Sequence, residues 1–174
     1  MSEQGVRLFF ACALPRAISA LLFRQIESLG VAGRFPHPDD LHLTLVFLGA
    51  LPRKRMDAAL RAGASLAGAP GFSLKLDRFG AFARSGVVWA GPSEVPAGLT
   101  ELQARLSEAL AAESFSVDGG AYQPHVTLLR GASLPVVVPG PDVPAWDVDR
   151  FALYESHPGA GGPRYRPLAA WPLS

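Results

Sequence analysis

The hydrophobic pattern divides the chain into short elements. Residues 6–14 form an apolar run closed by Pro15, the pattern of a buried strand. Within it Arg7, Phe9 and Ala11 share one face, and Leu8 and Phe10 share the other. Pro15 stands where a helix can begin; Ile18, Leu21, Leu22, Ile26 and Leu29 follow at helical spacing, and Gly30 is a stop. Residues 41–48 read as a second strand ended by Gly49, and residues 53–67 as a weaker helix around Met56, Leu60 and Leu66. Phe72, Leu74 and Leu76 alternate with Ser73, Lys75 and Asp77, which predicts a half-buried strand, and 87–90 predicts another. Leu99, Leu102, Leu106 and Leu110 mark a third helix, with Glu101 and Arg105 four apart on its exposed face. Strands at 126–129, 151–154 and 165–171 complete the set, and 135–144 is a proline-rich surface loop. Helices and strands alternate early and strands dominate late, which predicts one α+β domain over 1–174 with mostly antiparallel sheets.

One short pattern occurs twice. Leu41-His42-Leu43-Thr44-Leu45 returns as Pro124-His125-Val126-Thr127-Leu128, 83 residues further on. Side chains on a strand alternate, so His42 and Thr44 share a face while Leu43, Leu45 and Phe47 point into a core. His125 and Thr127 repeat the arrangement. Two imidazoles can divide acid–base work near neutral pH, one giving a proton and one taking it. Hydroxyls beside them can bond the oxygens of a phosphate as charge builds. Metal binding is the rival reading. Zinc takes three or four ligands and threonine is a poor one; Asp40 offers a carboxylate near His42, but Gln123 holds the matching place in the second copy. Arg130, five residues after His125, would add a cation. Strict alternation puts it on the wrong face, so that role needs the strand to end or twist near Leu129; otherwise Arg130 is a solvated surface residue. His37 and His157 lie in Pro/Gly-rich loops and are read as having no part in the chemistry.

Composition narrows the choice. Sixteen basic and 15 acidic side chains give a net charge of +1, which speaks against a broad nucleic-acid coat or a polybasic membrane binder and leaves room for one focused anion site. A single cysteine, Cys12, excludes a disulfide framework and a cysteine-based zinc site; inside its apolar run it reads as a small buried hydrophobe. No apolar stretch approaches the ~20 residues of a membrane span, and no Gly-rich phosphate loop opens a helix.

The paired motif, together with Arg7-Leu8-Phe9-Phe10-Ala11, Val87-Val88-Trp89, Leu153-Tyr154-Glu155-Ser156 and Arg164-Tyr165-Arg166-Pro167-Leu168, resembles the 2H phosphoesterases. Among these it is most similar to the bacterial RNA 2′,3′-cyclic phosphodiesterases, also known as 2′-5′ RNA ligases. The resemblance implies a bilobal, pseudo-two-fold fold: two antiparallel sheets line a central cleft, and helices pack outside. It implies metal-independent hydrolysis of RNA ends bearing a 2′,3′-cyclic phosphate, leaving a 2′-phosphate. His42 would be the general acid, His125 the general base, and Thr44, Thr127 and Arg130 the phosphate binders, with no metal or other cofactor. Its partners would be RNA ends, tRNA fragments among them, met by a cytoplasmic monomer. Phe9 is either a platform for a terminal base or part of the core; Tyr154 and Ser156 are further candidates for the same face. Two other readings of the site are 2′-5′ RNA ligation and non-catalytic binding of RNA-end phosphates.

Overall fold

The computed structural model describes residues 5–135, 137–159 and 164–174. In chain order the elements are β1 (Gly5–Ala13), α1 (Arg16–Ser28), β2 (His42–Pro52), α2 (Met56–Ala64), β3 (Phe72–Leu74), β4 (Arg78–Phe82) and β5 (Val87–Gly91). There follow α3 (Ala97–Ala112), β6 (Val126–Arg130), β7 (Trp146–Val148), β8 (Arg150–Ser156) and β9 (Tyr165–Pro172). Seven strands form one sheet in the order β4-β5-β6-β2-β1-β8-β9, β3 pairs with β7, and every pairing is antiparallel. The fold is therefore α+β, as expected. Among the described residues no helix is long and apolar enough to cross a membrane.

The large sheet consists of two blocks. One is β2-β1-β8-β9 and the other β4-β5-β6, and the ladder between them is a single residue pair, Leu43 opposite Val126. Both residues are fully buried. On that side of the sheet Leu8, Phe10, Cys12 and Leu128 join one core with Ile18, Leu22 and Ile26 of α1, Ala58, Ala59 and Ala62 of α2, and the four leucines of α3. The helices thus cover one face of the sheet, and residues that alternate with this core look out from the other.

Local rules explain most boundaries. The Pro15 carbonyl accepts from Ser19 N–H to open α1, and Gly30 closes it at φ +65°, a conformation glycine adopts without penalty. The Glu101–Arg105 pair forms at 3.7 Å. The strands β4 and β7 carry no alternation to betray them: Arg-Phe-Gly-Ala-Phe pairs along β5, and three residues around Asp147 pair with β3.

Strand β2 departs from simple alternation. It runs on through Gly49 to Pro52, and its pairing with β1 skips Leu48 and then Leu45. Each skip is a β-bulge, which adds one residue and reverses the facing of the residues beyond it. Leu43 and Leu45 are buried as expected, but Phe47 is not: it pairs with Phe9, turns to the opposite face and is 50% exposed. The guanidinium of Arg7 lies 4.9 Å over its ring.

The bulge makes a stability prediction. Leu43→Ala should cost about 2–5 kcal/mol, since it empties the seam between the blocks. Phe47→Ala should cost less than about 1 kcal/mol, as for an ordinary surface change. Urea unfolding of both variants checks the contrast; equal losses would place Phe47 back in the core.

Candidate active site

Strands β2 and β6 bring the two motif copies together at the seam. Leu43 faces Val126, so continuing the antiparallel register one residue each way sets His42 across from Thr127 and Thr44 across from His125. Each histidine thus stands across the strands from the threonine of the other copy. Neither Thr44 nor Thr127 spends its hydroxyl on a hydrogen bond to another described residue.

Both imidazoles are held in the same way. Nδ1 of His42 lies 2.6 Å from the carbonyl oxygen of Asp40, and Nδ1 of His125 lies 2.9 Å from that of Gln123, in each case two residues upstream. A carbonyl only accepts, so each Nδ1 carries a proton and Nε2 is the nitrogen left for chemistry. Aromatic rings wedge both: Phe9 and Tyr165 at 4.9 and 5.0 Å from His42, and Phe82 and Trp89 at 4.9 and 6.3 Å from His125.

Arg130 reaches the site face through a second use of the bulge. Pairing of β5 with β6 skips Leu128, so Leu128 and Leu129 are both buried and Arg130 lands on the face of Thr127. Its backbone exchanges two hydrogen bonds with that of Arg34, at 2.9 and 3.0 Å. The close approach uses Gly33, where a Cβ would lie 2.8 Å from that of Ala132.

A pocket of about 520 Å³ opens here, lined by His42, Thr127, Arg130, Arg34, Phe35 and Tyr165 among others. Thr44 and His125 are not on its lining; the register sets them immediately beside it. Three arginines, Arg34, Arg130 and Arg164, border the pocket without a carboxylate partner among the described residues. The nearby acid, Asp40, is 5% exposed and turned aside: its carboxylate accepts from the backbone N–H groups of Arg164 (2.9 and 3.0 Å) and Tyr165 (3.2 Å). It thereby anchors the start of β9 against His42. The pocket is cationic and suits an anion. Among the described residues no group of three or more His, Cys, Asp or Glu side chains is placed to hold a metal ion.

Burial lowers the pKa of His42 below its ordinary value. The carbonyl and charge of Asp40 act the other way, and the charges of His125 and Arg130 add to the lowering. His42 is therefore mostly neutral at pH 7 in the free protein.

Other residues sit differently from the sequence expectation. Phe9 is on the histidine face but only 3% exposed, with Tyr154 stacked on it at 5.4 Å, so it braces His42 and offers no open surface. The exposed ring of the pocket is Phe35, at 42%. His37, read as a bystander, lines the pocket, and its Nδ1 accepts from Asp39 N–H. Arg34 and Phe35 carried no periodic signal, because they belong to a loop placed by its bridge to β6 and by the edge-on packing of Phe35 against Phe23 of α1 at 5.5 Å.

A chain with this seam and this paired motif belongs to the 2′-5′ RNA ligase superfamily, whose family model matches residues 14–160. It is 39% identical to the RNA 2′,3′-cyclic phosphodiesterase of Escherichia coli (strain K12), over 100% of this chain and 99% of that protein. The protein of the same name from Thermus thermophilus is 34% identical over 97% of this chain and 90% of its own length. Among solved structures, E. coli LigT complexed with 3′-AMP superposes with a TM-score of 0.87 at 38% identity, covering 98% of this chain and 99% of that one.

The depressed His42 pKa has a measurable consequence. The unfolded chain binds a proton near 6.5 where the folded chain resists it, so stability rises with pH through this range and falls as pH drops below 6.5. An NMR titration should place the His42 midpoint below 6.5, and His42→Gln should flatten that part of the stability profile. A midpoint above 6.5 would contradict the desolvated setting.

Proposed function

We propose that this protein hydrolyses RNA 2′,3′-cyclic phosphate ends to 2′-phosphates without a metal ion, using His42 as general acid and His125 as general base. The observation that carries the reading is the seam: two His-x-Thr strands packed antiparallel, both imidazoles held through Nδ1, beside a pocket bordered by arginines with no carboxylate partner among the described residues. The names of the E. coli and T. thermophilus relatives support the same reaction. On this reading the enzyme works as a cytoplasmic monomer, with tRNA fragments among its substrates.

Nε2 of His125 takes a proton from water as the water oxygen bonds to phosphorus. The bond from phosphorus to the 3′ oxygen breaks, and that oxygen takes the proton of His42 Nε2. The hydroxyls of Thr44 and Thr127 and the guanidinium of Arg130 hold the non-bridging oxygens, whose charge grows as the fifth bond forms. Phe9 and Tyr165 fix the ring of His42 and keep water from its flanks. One turnover leaves His42 neutral and His125 protonated, and exchange with solvent resets both. His42 needs its proton at the start although burial opposes it. The phosphodiester anion beside the ring supplies the missing attraction, so the imidazolium is favoured once substrate is bound.

The test is hydrolysis of a short RNA ending in a 2′,3′-cyclic phosphate, in EDTA, with 2′- and 3′-phosphate products resolved. Exclusive 2′-phosphate is expected. His42→Ala and His125→Ala should each lower kcat by at least about 10²-fold while the fold persists. One limb of the kcat/KM profile should fall below pH 6.5 and move upward in kcat. Replacing the 3′ oxygen with sulfur gives a leaving group that needs no proton. That substrate should restore His42→Ala and leave His125→Ala inactive; the opposite pattern would exchange the two roles.

A further inference from the structure

A second hollow adjoins the first. It measures about 470 Å³ and is lined by Arg7, Arg53, Glu155, His157, Arg164 and Tyr165 among others. Arg164 and Tyr165 line both hollows, so they form a shared wall, and the Tyr165 ring lies edge-on to His42 at 5.0 Å. A chain leaving the His42 pocket over Tyr165 enters this second space.

Its floor is Glu155, a carboxylate only 3% exposed. Arg166 bonds it at 2.7 Å, His157 Nε2 lies 3.1 Å away and Arg53 3.6 Å away. One cation would satisfy a buried carboxylate, and three groups converge on it. Arg7 and Arg164 stand at the same hollow with no carboxylate among the described residues. Two guanidinium groups, of Arg53 and Arg166, thus hold the acid, and Arg7 and Arg164 line the same hollow, in a protein whose net charge is only +1. Arg53 and Arg166 are about 60% exposed, so their remaining N–H groups face solvent. Arg7 also lies on the half-exposed ring of Phe47, making a flat cationic platform at the rim.

The chemistry of the substrate dictates the groups that lie next to the reactive one. In a 2′,3′-cyclic end the neighbouring anion is the 5′ phosphodiester, and beyond it stands the preceding base. Arginine suits the first, and an Arg–aromatic surface suits the second. We propose, building on the function above, that this hollow is a subsite for the nucleotide preceding the cyclic end: Arg7, Arg53 and Arg164 hold its phosphodiester, and the Arg7–Phe47 face stacks its base. The enzyme is then selective for RNA chains over free nucleoside cyclic phosphates. Of these arginines, Glu155 holds Arg53 in place.

The experiment compares kcat/KM for adenosine 2′,3′-cyclic phosphate with that for a tetra-adenylate ending in the same group, at two salt concentrations. The wild type should favour the tetranucleotide by about tenfold or more, the gain of a charge-assisted phosphate interaction. The Arg7→Ala/Arg53→Ala variant should lose that preference while hydrolysing the mononucleotide at the wild-type rate. Its salt slope on the tetranucleotide should be shallower by about 0.7 for each phosphate that the arginines no longer neutralise. Equal losses on both substrates would show that the arginines act through the fold or the His42 pocket, and no loss on either would show an idle cluster; both overturn the subsite. A wild type that hydrolyses the mononucleotide without preferring the longer chain overturns the subsite and leaves the reaction standing. A wild type that hydrolyses neither overturns the reaction, and the subsite falls with it.

Discussion

The pairing of Leu43 with Val126 is the constraint on which the rest depends. Among the described residues it is the one rung between the two blocks of the sheet, and both side chains are buried beneath the helices. Burial fixes the facing: a slip of one residue would turn His42 and Thr44 into the core and expose the leucines beside them. The apolar core therefore specifies, through period-two alternation, where the two histidines and two threonines lie. The same rung sets the antiparallel register that crosses each histidine with the other copy's threonine. Tyr122 reinforces the joint by donating from its hydroxyl to the Thr44 carbonyl at 2.8 Å, which ties the approach to His125 to the other block.

The site was legible in the sequence where it obeys alternation and obscure where it does not. His42 and Thr44 sit on a strand whose other face is apolar, and His125 and Thr127 at the start of another, so period two alone put each histidine on the face of its threonine. The same rule misplaced Phe47 and made Arg130 conditional on a twist near Leu129. Both outcomes trace to bulges, at Leu45 and at Leu128, each one residue beyond the motif threonine. A bulge is a property of two paired strands, and neither strand alone contains the information. Arg34, Phe35 and His37 were illegible for a related reason: a backbone bridge to Arg130 brings their loop to the site, and a loop without periodicity does not announce its partner.

Charge shows the same limit. The totals predict a nearly neutral protein, and they are correct, but the arginines are not spread evenly. Several crowd the open ends of β1, β6 and β9, while acids such as Glu101 and Asp149 pair with arginines elsewhere on the surface. The two buried acids near the site are both committed, Asp40 to backbone N–H groups and Glu155 to cations. A modest net charge can thus coexist with a strongly cationic cleft, and composition alone excludes a broad electrostatic surface without excluding a focused one.

The two halves share a frame and differ in what they hang on it. Five residues after each histidine, just beyond each bulge, one half places Arg130 and the other Phe47: a cation on one side, an aromatic ring on the other. Two residues before each histidine stand Asp40 and Gln123. Their carbonyls do the same work on Nδ1, but only Asp40 has a carboxylate to anchor a neighbouring strand and to lend negative charge to its histidine. A perfectly symmetric site would give both imidazoles the same surroundings. Here His42 is enclosed by Phe9 and Tyr165, and burial lowers its pKa. The repeat gives both imidazoles the same tether at Nδ1; the departures from the repeat give them different surroundings.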